Sequence, residues 1–303
     1  MRLFDPGLGR DYAHNTKRII NKDGTFNIVR KGIRRQRYQE LLQMSGWKFF
    51  MNITIVYLLF NILFAVAYLI IGTDSISFGN EDIEQMSPIL KALFFSMQTF
   101  TTVGFGSIYP NDVIANFVSG MEAMSGWLFF AVATGLVYGR FSKASARILF
   151  SNNAIVTPYK GNTAVMFRVV NRRPNVLMEM EAKVMLALDV DEGEEVLRRY
   201  FNLKLEASSI HFFPLSWTLV HPIVEGSPLY GLNKDDLEAK SAEMLILIKG
   251  FDDTFSKHVH LRFSYTYDEW VWGAVFKRNY EALENGEIKL DIDAVHDYDK
   301  VEL

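Results

Sequence analysis

Two long stretches of this chain carry almost no charge, and they limit its fold more than any other feature. Residues 49–71 contain no charged side chain, and residues 114–137 contain one, Glu122. As helices rising about 1.5 Å per residue, both could cross a hydrocarbon layer about 30 Å thick. A soluble core helix is seldom uncharged on every side over such a length. The sequence therefore predicts two membrane spans, and the first lies too far into the chain and is too long for a signal peptide.

A distinctive loop lies between the two spans. Ser87 and Pro88 are suited to begin a helix as N-cap and first helical residue, and residues 89–100 are too short to span. We predict a re-entrant pore helix there, followed by the loop Thr-Thr-Val-Gly-Phe-Gly at residues 101–106. Backbone carbonyls in such a loop can replace the hydration shell of K⁺ when four loops surround one axis. The glycines permit the left-handed backbone angles that turn successive carbonyls inward.

The residues of this loop have separate predicted roles. We assign K⁺ coordination to four main-chain carbonyls, those of Thr102, Val103, Gly104 and Phe105. Phe105 stands where a tyrosine is commoner, so a phenol hydroxyl that could tie the loop to the pore helix is missing. Three residues are expected to support the loop from behind: Gln98, Gly106 and Glu122. Because an ionisable residue at membrane depth marks a functional position, we prefer this supporting role for Glu122 over direct attraction of ions.

Charge along the chain predicts its orientation. Residues 1–38 carry ten Lys and Arg against three Asp, whereas residues 73–113 carry one Lys against five Asp and Glu. Arg140, Lys143 and Arg147 follow the second span. The positive-inside rule places both termini in the cytoplasm and the loop outside. We therefore expect a multi-pass protein of the plasma (inner) membrane, and the absence of cysteine excludes disulfides.

Pattern changes divide the chain into five predicted segments. They are an N-terminal cytoplasmic segment (1–48), a pore domain (49–139), a linker (140–150), a β-sandwich (151–290) and an acidic tail (291–303) that we expect to be loose. In the first, residues 34–44 read as a basic amphipathic helix in the membrane interface, and residues 24–29 could form a short strand. In the fourth, alternation and turn residues predict seven strands, at 163–170, 176–188, 196–205, 219–224, 244–251, 258–267 and 270–276. Residues 234–240 read as a short helix.

The cytoplasmic half of the second span offers candidates for a gate. A large side chain repeated around an axis can close a pore by excluding water, and we assign pore-lining or gating roles to Phe130, Gly135 and Tyr138. An interfacial anchor remains an equal alternative for Tyr138. Gly126, Gly135 and Gly139 would permit bending or close helix contact.

The sequence gives little support to an enzyme. It has no phosphate-binding loop, zinc-ligand spacing or nucleophile elbow, and the His258-x-His260 pair suits a structural role better than a metal site. We predict no catalytic residue, no organic cofactor and no nucleic-acid partner. Two alternatives remain: a two-span potassium channel with another kind of sensing domain, and a membrane-anchored scaffold, which would leave the loop unexplained.

Several motifs together resemble the prokaryotic inward-rectifier potassium channels, the KirBac family. They are RYQELL at 37–42, SMQTFTTVGFG at 96–106, YGRFSKASARILFSNNAIV at 138–156, FRVVNRR at 167–173, PLSWTLVHPI at 214–223, EGSPLYGL at 225–232 and DEWVWG at 268–273. The resemblance covers nearly the whole chain. It implies a homotetramer in which an immunoglobulin-like cytoplasmic assembly extends the pore, with K⁺ in the filter and Ba²⁺ as a blocker.

The resemblance also implies regulation by lipid. It matches Arg140, Lys143 and Arg147 to sites that contact headgroups of anionic phospholipids or phosphoinositides. Two further basic positions of the family are Ser145 and Ala146 here, so we expect this lipid to inhibit.

The family pattern assigns a narrowing cytoplasmic pore loop to four residues: Asp268, Glu269, Trp272 and Gly273. Both acidic residues would bring negative charge near it. Phe130 stands where strong rectifiers carry an acid, which makes strong polyamine block unlikely. Gln98 and Ile108 replace an ion pair of eukaryotic filters, and Glu122 would take over part of that support.

Overall fold

The computed structural model describes residues 7–8, 18–32, 37–79, 85–142, 147–193 and 196–303. The chain forms two compact units. The helical unit is Gly32–Lys143, and the β unit combines Met1–Lys31 with Ala144–Leu303. Residues 18–31 of the predicted N-terminal segment therefore belong to the β unit, although residues 32–143 separate them in sequence from the rest of that unit.

The described residues of the helical unit form four α-helices, a short 3-10 helix (Thr73–Ser75) and one short pair of strands. The helices are α1 (Arg37–Gln43), α2 (Gly46–Ile71), α3 (Pro88–Phe100) and α4 (Val113–Phe141). Strands β1 (Ile76–Phe78) and β2 (Ile108–Pro110) pair antiparallel between them. In the described part of the chain, α2 and α4 are the two helices long and apolar enough to cross a membrane. Residues 34–36 of the predicted interfacial helix lie outside the described residues.

The ends of the long helices have local causes. α4 begins at Val113 because the carboxylate of Asp112 accepts hydrogen bonds from the amides of Ile114 and Ala115, at 2.5 and 3.0 Å. Such an N-cap stabilises a helix by about 1 kcal/mol. α2 ends at Gly72, whose φ of 103° lies in the region open to glycine.

The β unit is built on two five-stranded sheets. Their strands are β3 (Ile148–Phe150), β4 (Ala154–Tyr159), β5 (Asn162–Asn171), β6 (Leu177–Asp191), β7 (Val196–Leu203), β8 (Ser209–Phe212), β9 (Ser216–Ile223), β10 (Glu243–Asp252), β11 (Lys257–Thr266) and β12 (Trp270–Trp272). The first sheet has the order β11-β10-β6-β7, and β8 also pairs with β6. The second sheet has the order β12-β4-β5-β3, and β9 also pairs with β5. All pairs are antiparallel except β12 with β4. A short helix, α5 (Lys234–Ala239), precedes β10.

One hydrophobic core joins the two sheets. Phe150 of the second sheet stacks on Phe263 of the first with ring centroids 4.4 Å apart, and Phe167 meets Tyr265 at 5.8 Å. The buried Tyr265 hydroxyl lies 2.7 Å from the Ser151 carbonyl, which satisfies it. Burying each such aromatic side chain stabilises by about 1.5–3 kcal/mol, so this layer holds the sandwich together.

The acidic tail is ordered, so the expectation of a loose tail is wrong. Strand β16 (Tyr298–Lys300) pairs antiparallel with β13 (Ala274–Phe276), and the Val301 amide donates to the Gly273 carbonyl at 2.9 Å. Val295 is fully buried. One apolar anchor and main-chain pairing outweigh the charge of the segment. The remaining strands, β14 (Tyr280–Ala282) and β15 (Ile288–Leu290), pair with each other.

Other boundaries also differ from those predicted. β3 pairs with β5 inside residues assigned to the linker, so the sandwich begins at Ile148. The strand predicted at residues 24–29 is a single isolated bridge between Ile20 and Phe26. The strand predicted at 270–276 is two strands, interrupted at Gly273, where φ is 66°.

Candidate functional site

The predicted ion-binding loop folds back onto the end of the pore helix α3. The Thr102 amide donates to the Thr99 carbonyl at 3.0 Å, and the Val103 amide donates to the Gln98 carbonyl at 3.0 Å. These bonds satisfy carbonyl groups at the carboxyl end of α3, which ends at Phe100. The start of the loop is therefore held by the main chain of α3.

Every second residue of the loop has a positive φ. The values are 57° at Thr102, 50° at Gly104 and 83° at Gly106. Alternating left-handed residues with ordinary ones is the backbone condition for carbonyls that point to one side. Glycine adopts these angles at little cost, whereas Thr102 holds a conformation that costs about 1–3 kcal/mol in a residue with a Cβ. Strain of this kind collects at functional sites.

Glu122 of α4 bonds to both of the other longer helices, α2 and α3. Its Oε2 accepts a hydrogen bond of 2.6 Å from the Tyr68 hydroxyl of α2, and its Oε1 accepts one of 2.5 Å from the Ser96 hydroxyl of α3. The side chains of Glu122, Ser96 and Tyr68 are fully buried. A buried carboxylate needs such donors, because an unpaired one is very costly to remove from water. The partner Tyr68 carried no sequence signal beyond its place in an apolar helix.

Gln98, a second candidate for supporting the loop, contacts it through the main chain. Its main-chain carbonyl receives the Val103 amide, but its side-chain Oε1 is buried and has no hydrogen-bond partner among the described residues. The main-chain bond from Val103 is thus the contact that the structure gives between Gln98 and the start of the loop.

The candidates for an inner gate lie along α4. The Phe130 ring packs near Phe129 and Phe100, with centroids 5.6 and 6.4 Å away, and remains 43% exposed. Tyr138 is 71% exposed. A Cβ added at Gly135 would meet no described atom within 4 Å. Within one subunit, these three residues leave open surface along the helix.

The three basic residues predicted to bind lipid fall in different places. Arg140 belongs to the helical unit, where its Nη1 donates to the Met44 carbonyl at 2.6 Å and its guanidinium lies 5.2 Å from the centre of the Phe49 ring. Arg147 is exposed in the β unit, just before β3. Lys143 lies outside the described residues.

The segment predicted as the cytoplasmic pore loop includes strand β12 of the sandwich. Trp270 is only 4% exposed, and Trp272 packs against the same core from strand β12. Gly273 lies so close to the tail that a Cβ would sit 2.4 Å from the Val301 carbonyl oxygen. The sequence match was to a loop, but parallel pairing with β4 makes this segment a strand.

The negative charge expected at Glu269 is also neutralised. Arg18 and Lys22 form ion pairs with its carboxylate at 2.9 and 2.6 Å. Burial alone would raise the pKa of this carboxyl, but hydrogen bonds from Lys22, Arg18 and the Thr266 amide outweigh it and hold the pKa below its ordinary value. Asp268 lies beside it in a short 3-10 turn, Tyr267–Glu269.

Residues 18–28, which we call the N-terminal strap, dock on the first sheet. The buried carboxylate of Glu243 accepts hydrogen bonds from the amides of Ile19 and Ile20, at 2.9 and 3.3 Å. Both isoleucine side chains are buried against Ala187, Tyr200 and Leu245. Sequence reasoning missed this contact because its partners are more than 200 residues apart.

Known proteins share both units. Residues 148–303 match the family model of the inward rectifier potassium channel C-terminal domain, and residues 53–143 match the ion channel model. The chain is 35% identical to inward rectifier potassium channel Kirbac3.1 of Paramagnetospirillum magnetotacticum, over 92% of this chain and 95% of that one. It is 23% identical to human inward rectifier potassium channel 18 and 24% identical to rat ATP-sensitive inward rectifier potassium channel 12. Those matches cover 89% of this chain and 69% and 70% of theirs.

Two helices long and apolar enough to span a membrane, a shorter helix between them and a following β-sandwich are the arrangement of a two-span channel. The chain belongs to the inward-rectifier potassium channel family, and its likeness to a bacterial member spans nearly its whole length. The predicted fold of a membrane pore domain joined to a β-sandwich is confirmed. The protein is an ion channel and not an enzyme.

Proposed function

We propose that four copies of this chain surround one K⁺ pathway, with the loop at residues 101–106 as the selectivity filter. The alternating positive φ angles of the loop are the observation that carries this proposal. In a single subunit the Val103 and Phe105 side chains are 54% and 77% exposed, so one loop alone forms no enclosed site. Four loops supply the carbonyl cages that replace the hydration shell of the ion.

Ion coordination then falls to the carbonyls of Thr102, Val103, Gly104 and Phe105, with the Thr102 hydroxyl at the inner end. The carboxyl end of α3 precedes the loop directly. Because that end of a helix carries partial negative charge, it favours a cation in the cavity below the filter. Ba²⁺, with a similar radius and twice the charge, is the expected blocker.

Glu122 supports the filter indirectly, by holding α3 in place through Ser96. Both of its carboxylate oxygens accept hydrogen bonds from the neighbouring helices, and the residue is fully buried in the single chain, which favours support over direct attraction of ions. Gly106 forms the outer end of the filter, and its φ of 83° lies in the left-handed region that glycine adopts easily. Gln98 supports the start of the filter with its main-chain carbonyl, which accepts a hydrogen bond from the Val103 amide. We expect its buried side-chain oxygen to accept a hydrogen bond from a group outside the single chain.

Gating is proposed to act at the inner end of α4 and to be controlled by the β unit. Phe130, Gly135 and Tyr138 line this end, and a ring of large side chains there closes the pore by excluding water. Strong polyamine rectification is not expected, because Phe130 offers no negative charge to a polyamine.

Anionic phospholipid, and phosphoinositide in particular, is proposed as an inhibitor. Arg147 is exposed and available to a phosphate group, and Lys143 completes the basic segment after the span. Arg140 already has two partners inside its unit, so a lipid phosphate would have to compete for it. The excess of basic residues before α2 and after α4 favours an inner-membrane protein with both termini in the cytoplasm.

The test is uptake of radioactive rubidium into liposomes that contain the pure protein and a K⁺ gradient. We expect uptake that Ba²⁺ blocks, and none in liposomes that carry Gly104→Ala, because a Cβ opposes the left-handed angle there. Size-exclusion chromatography checks that this variant keeps the tetramer. No barium-sensitive uptake by the wild type in any lipid mixture would overturn the proposal.

A further inference from the structure

Helices α3 and α4 meet along a seam of four residues. Glu122 and Gly126 lie one turn apart on α4, and Ser96 and Phe100 lie one turn apart on α3. Residues four apart share one face of a helix. Glu122 meets Ser96 at 2.5 Å, and Gly126 meets Phe100. The outer pair is a hydrogen bond, whereas the inner pair is a contact between backbones.

The Gly126 contact leaves no room for any side chain. A Cβ built there would lie 1.9 Å from the Phe100 carbonyl oxygen, 2.9 Å from its carbonyl carbon and 3.2 Å from its Cα. Real Cβ atoms essentially never come within 3.0 Å of another heavy atom. The obstructing atoms belong to the main chain, so no rotation of a side chain would relieve the clash.

Phe100 itself has little freedom to move away. It is fully buried, and four rings lie around its own: Tyr57 and Phe60 of α2 at 5.7 and 5.5 Å, and Phe129 and Phe130 of α4 at 5.6 and 6.4 Å. A methyl group at position 126 would therefore push the end of α3 rather than the Phe100 ring. Because Thr101 and Thr102 follow directly, that displacement would reach the strained Thr102 and the inner end of the filter.

We infer that Gly126 is a positioning residue for ion selection. Because Gly126 has no side chain, the end of α3 can pack closely against α4. The depth of this packing determines the position of the Thr102 carbonyl and hydroxyl. Small residues serve close backbone approach in membrane helix pairs. This inference rests on the proposed filter function. It assigns Gly126 a role in steric register, which differs from a role as a flexible hinge.

Alanine substitution tests the inference against a matched control on the same helix. Gly126→Ala and Gly120→Ala give α4 the same gain in helix propensity, but a Cβ at Gly120 would meet no described atom within 4 Å. The measurements are rubidium uptake, sodium uptake and half-blocking Ba²⁺ concentration, on fractions that elute as the intact tetramer. We expect Gly126→Ala to lower the rubidium-to-sodium ratio and to raise the half-blocking Ba²⁺ concentration, each by about tenfold or more. Gly120→Ala should stay within about twofold of the wild type.

A tandem tetramer with one substituted subunit serves if Gly126→Ala does not assemble by itself. Reduced selectivity in that protein supports the inference. Wild-type selectivity and Ba²⁺ block in intact Gly126→Ala tetramers, or in the tandem protein, would overturn it. Absence of flux from the wild type would instead overturn the proposed function, so the two failures are distinguishable.

Discussion

The Nη1 of Arg140, near the end of α4, donates a 2.6 Å hydrogen bond to the carbonyl of Met44, which lies between α1 and α2. The same guanidinium lies over the Phe49 ring. On the neighbouring residue, a Cβ added to Gly139 would come within 3.2 Å of the Tyr38 hydroxyl. The short helix before the first span is thus fastened to the inner end of the second. Movement of α1 along the membrane surface would therefore displace the inner end of α4, where the candidate gate residue Tyr138 lies.

Arg140→Gln should loosen α1 from α4. A hydrogen bond to a charged group stabilises by about 1.5–3 kcal/mol, so amide hydrogen exchange in residues 38–43 should accelerate about tenfold. Arg140→Lys keeps the charge and should have a smaller effect. Lys48→Gln, which changes an exposed charge of α2, is the control and should leave exchange unchanged. Equal exchange in Arg140→Gln and the wild type would show that the contact does not fasten α1.

Glu122→Ala should destabilise the pore more than Glu122→Gln. Alanine leaves the buried Tyr68 hydroxyl without its acceptor, at about 1–3 kcal/mol, whereas the Ser96 hydroxyl keeps the Asn61 carbonyl at 3.0 Å. Glutamine keeps the shape and one acceptor oxygen. The measurement is the thermal dissociation of the tetramer in detergent with K⁺, together with rubidium uptake. A midpoint for the alanine variant equal to that of the wild type would contradict the supporting role.

Phe130→Asp should strengthen block by polyamines. Four added carboxylates around the pathway would attract a polycation, and we expect the half-blocking spermine concentration to fall by about tenfold, or about 1.4 kcal/mol. Phe130→Asn has a similar shape without charge and should not change the block. If the aspartate variant behaves like the asparagine variant, the side chain does not face the pathway.

Glu269→Gln should release the N-terminal strap. The charge partners of this carboxylate are Arg18 and Lys22, and the neutral amide loses both ion pairs. Hydrogen exchange at the Ile19 and Ile20 amides reports the release. Glu281→Gln breaks an exposed ion pair with Lys289 elsewhere in the β unit and is the matched control. Slow exchange in the Glu269 variant would mean that Glu243 and apolar contacts hold the strap by themselves.

Acid should destabilise the β unit through His221. Burial lowers the pKa of this imidazole, although its hydrogen bond of 2.7 Å to the Lys204 carbonyl opposes the shift. The unfolded chain then binds a proton more readily, so stability is full above about pH 6.5 and falls as the pH drops toward the lowered value. His221→Gln should flatten this dependence in melting experiments on the full-length protein. Substitution of the exposed His211 should not, and identical slopes in both variants would refute the assignment.

The sequence predicted those features whose signals lie close together along the chain. Hydropathy predicted α2 and α4, a serine and a proline marked the start of α3, and alternation predicted most strands of the sandwich. The order of residues in the loop at 101–106 predicted a backbone that only glycine adopts easily. Each of these signals lies within one element.

Features that depend on distant residues were missed. The free charge expected at Glu269 is cancelled by Arg18, which lies 251 residues earlier in the chain. The prediction of a loose tail rested on its acidic residues, whereas the burial of Val295 and the pairing with β13 determine its structure. Close helix contact was one of two roles predicted for Gly126, but its partner was not, because the Phe100 carbonyl comes from another helix.

The strap also changes how the two units are connected. Residues 18–31 belong to the β unit, the chain then forms the helical unit, and it returns to the β unit after α4. The polypeptide therefore passes between the units twice in every subunit. A cut in the chain after α4 would therefore leave the helical unit joined to the β unit only by the contacts of the strap on the first sheet.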